Sequence, residues 1–308
     1  MANRSGEFAY IDWIRNQVKP HSSLTVGIGD DTAMLRLSDK ANCLLATDML
    51  MEGVHFTLDS ASPREIGRKA LAVNLSDIAA MAGSPQACLV SVALPRQSAK
   101  TLPFELHEGI QQLADEFDVA VAGGDTNSWD GPLVINIAVI GQPTANGPVL
   151  RSGAQSGDWI MVTGELGGSL AGKQFSFQPR VGEAIQIHQA VTLHAMIDVS
   201  DGLAADLHHI LEESHVGAEL FATRIPISET VRSLTDERSP LQHALRDGED
   251  FELLFTVSPG DGQNLLANSS VNVQLTHIGT ITVATDCFLI EENGNRVVLP
   301  PLGWEHSV

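Results

Sequence analysis

The sequence predicts a mixed α and β fold in two domains, and three observations carry that expectation. Strand-like apolar runs alternate with segments of helical period along the chain. A length of 308 residues with 43% hydrophobic content is enough for two separate cores. The Gly/Pro-rich stretch GQPTANGP (141 to 148) interrupts the pattern near the middle, with a composition that few tertiary contacts usually cross. The expected domains are therefore 1–145 and 146–308.

Taken in order, Phe8, Ile11, Ile14 and Val18 recur at helical spacing, and an apolar segment from Leu24 to Ile28 leads into the first acidic pair. The run ANCLLATDMLM reads as a strand. Ser62, Pro63 and Glu65 form a capping box with proline at the first helical position, so a helix should open there and run to about Ala82, where Gly83 and Pro85 stop it. Asn74, Asp77 and Met81 would share one face of that helix. SVALPR, VAVAG and the longer PLVINIAVIG read as strands, with an amphipathic helix from about Pro103 to Phe117 between the first two.

The second half should hold a strand (WIMVTG), a Gly-rich turn, a helix from about Gly202 to Glu213, and strands around 217–221, 251–257 and 275–281. A hairpin turning at Asn293 and Gly294 closes the chain. NLSD (74 to 77) and DVSD (198 to 201) form a faint internal echo, too short to establish a duplication.

Charge and cysteine content exclude several functions. A net charge of −20 argues against an open basic groove for nucleic acid, and no Lys/Arg run suits an anionic membrane surface. Cys43, Cys88 and Cys287 are scattered and odd in number, which favours buried reduced thiols over zinc or a disulfide framework. No signal-peptide core or membrane-length apolar run interrupts this picture, and a cytoplasmic location is expected.

The chemistry lies in six short stretches that each end an apolar run with aspartate set among Gly, Ser or Thr: GIGDDTA, LLATDML, NLSDIAA, VAGGDTN, IDVSDGL and DGEDFELL. Singly, each aspartate is best read as a turn former or helix cap. As a set they are not, because caps accept Ser or Asn nearly as well. If Asp30, Asp31, Asp48, Asp77, Asp125, Asp198 and Asp201 converge, each like-charge pair 4 Å apart costs roughly 4 kcal/mol at an effective dielectric of 20. Hard divalent cations with oxygen ligands are the natural remedy.

Two nucleotide-binding patterns fail on inspection. GGSLAGKQ has Gly167, Gly172 and Lys173 at P-loop spacing, but Gln174 stands where a magnesium-ligating hydroxyl is needed. GIGDDT lacks the third glycine of a dinucleotide fingerprint. Gly123 and Gly124 could let backbone N–H groups approach a phosphate beside Asp125, against the plainer reading of a strand-to-loop turn. Arg151 could clamp a phosphate, with a solvated loop arginine of equal weight. Of the histidines, His188, His194, His208, His209 and His215 read as ordinary helix-surface residues; His55, which follows TDMLMEG, could contact a substrate phosphate, with an ordinary surface histidine of equal weight.

Taken together and in order, GEFAYI, GIGDDTA, TDMLMEGVHF, ALAVNLSDIAAMAGSP, GGDT, RSGAQSGDWIMVTG, IDVSDGLAADL and GEDFELLF resemble the thiamine-monophosphate kinases of the aminoimidazole ribonucleotide synthetase superfamily. The resemblance spans nearly the whole chain. It implies an N-terminal α/β domain whose strands form a β-barrel across a homodimer, and a C-terminal α+β domain. It also implies ATP and several Mg2+ ions in the acidic cleft. Carried over by position, Asp30, Asp31, Thr47, Asp48, Asp77, Asp125, Asp198 and Asp201 would be metal sites, with Asp48, Asp77, Asp125 and Asp201 central to catalysis. Gly123, Gly124, Asp125, Arg151 and Ser200 would contact ATP, and His55, Glu249 and Trp304 would contact thiamine monophosphate.

The implied reaction is direct transfer of the γ-phosphoryl group of ATP to an acceptor phosphate, which is already mostly dianionic at neutral pH and needs little general-base help. Selenophosphate synthetase would want an N-terminal reactive Cys, and a hydrogenase maturation factor a C-terminal one; neither is present. Aminoimidazole ribonucleotide synthetase lacks the TDMLMEGVHF arrangement. A calcium-binding module without catalysis is the reading from another class, and the chain offers no EF-hand loop for it.

Overall fold

The chain alternates strands and helices around two sheets, and a computed structural model describes residues 7–19, 21–38, 41–97, 100–268 and 270–305. Gly6, which opens GEFAYI, lies outside the described residues. The first half contributes α1 (Glu7–Gln17), β1 (Leu24–Val26), β2 (Ala33–Ser38), β3 (Ala41–Met51), α2 (Pro63–Ala80), β4 (Gly83–Pro95), α3 (Leu102–Glu116), β5 (Ala120–Trp129) and β6 (Val134–Pro143). Its six-stranded sheet has the order β1-β2-β3-β6-β4-β5. Strand β5 runs parallel to β4, so the chain crosses over through α3, while the other pairings are antiparallel.

Successive side chains of a strand point to opposite faces. Leu44 and Leu50 on β3, Cys88 on β4, and Ile135, Ile137 and Val139 on β6 are therefore buried on one face, against α2 and α3. Alternate positions carry Met49, Met51, Leu89, Trp129 and Ile140, all exposed on the other.

Helix α2 opens as the sequence predicts, with the Ser62 side chain accepting from the Glu65 N–H and the Glu65 carboxylate accepting from the Ser62 N–H. It ends earlier than its punctuation suggests. Ala82 takes a positive φ of 52°, and the chain enters β4 directly, so Gly83 and Pro85 belong to the strand and do not merely stop the helix. Pro85 is tolerated because the β4–β6 register slips between Pro85 and Ala87 and β5 pairs only from Ala87 onward, leaving the proline without a ladder partner on that side.

The second half contributes β7 (Trp159–Thr163), α4 (Val181–Ala190), β8 (Leu193–Asp198), α5 (Leu203–Ser214), β9 (Gly217–Phe221), α6 (Glu229–Arg232), α7 (Pro240–Arg246), β10 (Leu253–Val257), α8 (Pro259–Asn268), β11 (Leu275–Thr282), β12 (Cys287–Ile290) and β13 (Arg296–Val298). The seven strands are ordered β13-β12-β9-β11-β7-β10-β8. The pleat divides this sheet too: Met161, Met196, Leu253 and Phe255 join the core around α2 and α4, whereas Ile160, Val162, Ile197 and Leu254 join a second core under α5. Helix α2 thus lies between the two sheets and packs on both.

Elements α4, β8, α7 and α8 were not among those the sequence reading distinguished. With α4 and β8 in place, the helix-surface reading fails for three histidines. His188 is buried and its Nε2 faces the Gly147 carbonyl at 3.1 Å; His194 lies on β8 with Nδ1 2.7 Å from Asp158; the Nε2 of His208 faces the Leu299 carbonyl at 2.8 Å. The three cysteines are free and buried. Among the described residues no helix is long and apolar enough to cross a membrane.

Helices α2 and α3 meet at two glycines. A Cβ on Gly67 would stand 2.1 Å from the Leu106 carbonyl oxygen, and one on Gly109 would stand 1.9 Å from that of Arg64. Backbone cannot yield as a flexible side chain can, so Gly109→Ala should destabilise the protein by about 1 to 3 kcal/mol, the usual range for overpacking. Thermal denaturation should show the loss; an unchanged melting temperature would mean that the helices are not this closely apposed.

Candidate active site

The acidic residues are delivered by the ends of apolar elements and by one helix that runs between the sheets. Asp48 shares the inward row of β3 with Leu44 and Leu50, and so faces α2. Its backbone N–H donates to Asn74 Oδ1 at 3.2 Å, and Asn74 in turn donates to the Ala70 carbonyl, which fixes β3 against α2. Asp77 lies one turn further along α2, and Asp198 ends β8. The two halves of the NLSD/DVSD echo have different local structures, mid-helix and strand end, yet they meet: the Ser76 hydroxyl donates to Asp198 Oδ2 at 2.5 Å.

Carboxylate oxygens of Asp31, Asp77 and Asp198 lie within 4.8 Å of one another. Burial pushes the carboxyl of Asp48 up to about 6, with Glu249 and Asp31 adding to the rise. Asp198 is raised to about 7 by burial and then Asp31, despite the Ser76 hydroxyl and Arg151. Asp77 is held well above its ordinary range by burial and by Asp48, Asp198 and Asp31. Three converging, repelling carboxylates enclosed by protein fit a hard divalent cation.

Arg151 closes one side of the cluster. Its Nη2 is 2.8 Å from Asp31 Oδ1 and its Nε 3.3 Å from Asp31 Oδ2. Burial opposes the guanidinium charge, but Asp31, Asp206 and Asp198 outweigh it and hold the group protonated. Asp30 is differently employed: its Oδ1 accepts the backbone N–H of Arg151 at 2.7 Å, which anchors the loop.

A second acidic group forms at the start of α5, where Asp201, Asp206 and His209 offer ligand atoms within 4.8 Å of one another. The Asp206 carboxylate accepts the backbone N–H groups of Asp201 and Gly202, so it shapes the turn that presents Asp201. Ser200 lies in the same turn, which is stitched to the segment after α7: Glu249 N–H donates to the Ser200 carbonyl, Phe251 N–H to Val199, and Val199 N–H to Glu252. Glu249 itself takes a positive φ of 57°, a conformation uncommon outside glycine. Within GEDFELL, Asp250 accepts from Gly167 N–H and the Ser169 hydroxyl, and Glu252 is gripped by Arg180 at 2.7 Å through both Nε and Nη2. These two acids are structural.

Not every expected site residue joins the cluster. Thr47, adjacent to Asp48, occupies the opposite parity on β3; its hydroxyl lies 3.1 Å from the Ile137 carbonyl. Asp125 is in register with Ser91, and through it with Asn136 and Met49, which places it on the exposed face three strands from β3, on the order of 14 Å away at ordinary strand spacing. There it accepts from Asn127 at 3.0 Å. Gly123 and Gly124 lie beside it, and a Cβ on Gly124 would be 1.7 Å from the Val90 carbonyl oxygen, so close strand packing alone requires that glycine. His55 follows β3, its Nδ1 accepting the Met51 N–H at 3.0 Å. Trp304, half exposed, is tied to the Asp201 carbonyl through its backbone N–H at 2.9 Å. Lys173, of the failed P-loop, is paired with Glu252 at 3.1 Å in a segment of short 3₁₀ turns.

Sequence reasoning missed Lys69, Asn74, Ser76 and Asp206 as parts of the site. A signal existed for the first three: α2 is buried on nearly every side, and in such a helix each polar residue requires a partner.

The raised carboxyls fix the sign of a pH effect. Native Asp48 and Asp198 keep protons that the unfolded chain has already released near pH 4, so the metal-free fold loses stability as pH rises from about 4 through about 6 and 7, and Asp77, raised in the same direction, adds to the loss. With a chelator present, the melting temperature should fall between pH 5.5 and 8, and magnesium should reverse most of the fall at pH 8. A chelator-insensitive, flat profile would show that these carboxylates do not repel one another.

Comparison with known proteins agrees with this architecture. A family model described as AIR synthase related protein, N-terminal domain, matches residues 29–142, and the corresponding C-terminal domain model matches residues 155–290. A thiamine-monophosphate kinase of Rhodopirellula baltica is 40% identical over 288 residues, covering 91% of this chain and 90% of that protein. One from Bacillus subtilis is 33% identical over 323 residues, covering 97% and 99%. A solved structure described as AaThiL complexed with AMPPCP and TMP is similar at a TM-score of 0.79 and 30% identity, covering 98% of this chain and 97% of its own. The hydrogenase maturation protein HypE shares the fold at 17% identity and a TM-score of 0.71. This chain belongs to the AIR synthase related family and, within it, to the thiamine-monophosphate kinases.

Proposed function

We propose that the protein transfers the γ-phosphoryl group of ATP to the phosphate of thiamine monophosphate, giving thiamine diphosphate and ADP. The observation that carries this reading is the convergence of Asp31, Asp77 and Asp198, with Asp48 near enough to raise the Asp77 carboxyl, in a chain 40% identical to a thiamine-monophosphate kinase. A relative complexed with an ATP analogue and TMP supports the choice of both substrates.

An oxygen of the acceptor phosphate attacks the γ-phosphorus as the bond to the bridging oxygen of ADP breaks. The acceptor is already largely dianionic at neutral pH, so no side chain need remove a proton. The obstacle is the repulsion of two polyanions. Magnesium ions held by Asp31, Asp77 and Asp198, with Asp48 and Asp201 beside them, would supply charge neutralisation and alignment of the phosphates. Arg151 reaches the same space and presents the guanidinium geometry suited to phosphate. Ser200 is assigned to the nucleotide, and His55, Glu249 and Trp304 to the acceptor. Gly123, Gly124 and Asp125 are assigned to ATP from the outer side of the sheet.

We take the working unit to be a homodimer, with the division between the ATP-binding and C-terminal domains at 145/146. Support for the dimer comes from the first sheet, whose uncovered face displays Met49, Met51, Leu89, Trp129 and Ile140 beside the exposed edge strand β5. Apolar surface in that concentration favours a partner, and a second copy offers a matching face.

Incubation with Mg-ATP and thiamine monophosphate, with thiamine as a control acceptor, should yield thiamine diphosphate; absence of product would overturn the assignment. Asp48→Asn and Asp201→Asn should each lower turnover at least about 100-fold, the scale seen for other preorganised electrostatic groups, without unfolding the chain. Near-normal rates at saturating magnesium would remove these two from the catalytic set. Leu89→Glu should convert the dimer to a monomer in sedimentation analysis, and an unaltered mass would exclude this face as the interface.

A further inference from the structure

One lysine lies sealed within the helix that carries Asp77. Lys69 is 0% exposed, among the buried Ile66, Ala70, Leu71 and Val73. Its ammonium donates to the His55 carbonyl at 2.9 Å and to Gln174 Oε1 at 2.6 Å, and Glu249 Oε2, a buried oxygen that no hydrogen bond satisfies, is ion-paired with it at 2.7 Å. The Phe175 ring lies 5.3 Å away. A buried ion pair is often no more stable than apolar residues of similar volume, so its presence here calls for a reason other than stability. Two of its partners supply one. His55 and Glu249 are the residues assigned above to the acceptor, and the Glu249 side chain remains 20% exposed while Lys69 is closed off.

We propose that Lys69 is a positioning residue for the acceptor subsite, orienting the Glu249 carboxylate toward the permanently cationic thiazolium ring of thiamine monophosphate while fixing the loop that bears His55. The inference rests on the reading of the chain as a thiamine-monophosphate kinase. Lys69 does not reach the substrate; it acts through Glu249, whose Oε2 it holds at 2.7 Å. Gln174, the residue that spoils the P-loop pattern, has its own place in this arrangement as the side-chain acceptor of the ammonium. ATP carries no comparable cation, so the effect belongs to one substrate only.

The test is steady-state kinetics with Mg-ATP for Lys69→Met, Glu249→Gln and the double variant. Lys69→Met should raise KM for thiamine monophosphate about 10-fold or more, as expected for loss of a charged partner, while KM for ATP changes less than about 2-fold. The double variant should show no further rise beyond about 2-fold over Glu249→Gln, since coupled residues are not additive. It contains no unpaired buried carboxylate, so it serves the comparison even if Lys69→Met alone fails to fold. The phosphate ester of the neutral, unalkylated hydroxyethylthiazole provides a second readout: the preference of the wild type for thiamine monophosphate over it should shrink in both single variants. Equal rises in both KM values, additive losses in the double variant, or an unchanged preference would overturn the role of Lys69. A wild type that makes no thiamine diphosphate would instead overturn the functional reading itself.

Discussion

The architecture depends on carboxyl groups enclosed where their charges repel one another. Asp48, Asp77 and Asp198 approach from β3, α2 and β8, three elements drawn from both halves of the chain. Their raised carboxyls record the cost of that approach. No hydrophobic argument brings them together; apolar burial on both sides of α2 does so despite them. A cation bound there would relieve repulsion that the core already sustains.

Helix α2 is the element that makes this possible. It contacts both sheets and packs against α3 and α4, and its register sets Lys69, Asn74, Ser76 and Asp77 toward four different partners. Lys69, Asn74 and Ser76 each make a bond across an interface, whereas Asp77 meets other carboxylates. Slippage of α2 would break several of these contacts together, so the close glycine crossing with α3 and the capping box at Ser62 bear on the site as well as on the fold. The segments 199–202 and 247–252 perform the same service from the other side, holding Ser200, Asp201 and Glu249 through reciprocal backbone bonds.

Much of this was legible in the sequence because the signals were local. The Ser62 capping box, the ANCLLATDMLM strand and the Asn293–Gly294 turn each depend on a few neighbouring residues, and the structure has them where they were expected. The convergence of Asp31, Asp77 and Asp198 was legible only as a set, through the repetition of acid at the ends of apolar runs. What escaped was what tertiary contacts decide. Pro85 reads as a stop until a register slip in β4 is known. His188 and His194 read as surface residues until Gly147 and Asp158 are found beside them. Thr47 is adjacent to Asp48 in sequence and on the opposite side of the sheet in space, a consequence of the two-residue period of a strand that motif spacing does not express.

The acids of the cleft divide according to whether the protein supplies their counter-charge. Glu252 has Arg180 and Lys173; burial would raise its carboxyl, yet these partners carry it below its ordinary range, and it ties β10 to α4 and the 3₁₀ turns. Asp31 has Arg151, and Glu249 has Lys69. Asp48, Asp77 and Asp198 are met chiefly by other acids, with Arg151 offsetting part of the charge at Asp77 and Asp198. A chain with 38 acidic and 18 basic residues cannot pair every carboxylate, so the location of the unpaired ones is informative. On the surface they would be dispersed and solvated at little cost. Gathered together and buried, they either keep protons, as their raised carboxyls record, or suit a hard divalent cation that would take the place of those protons.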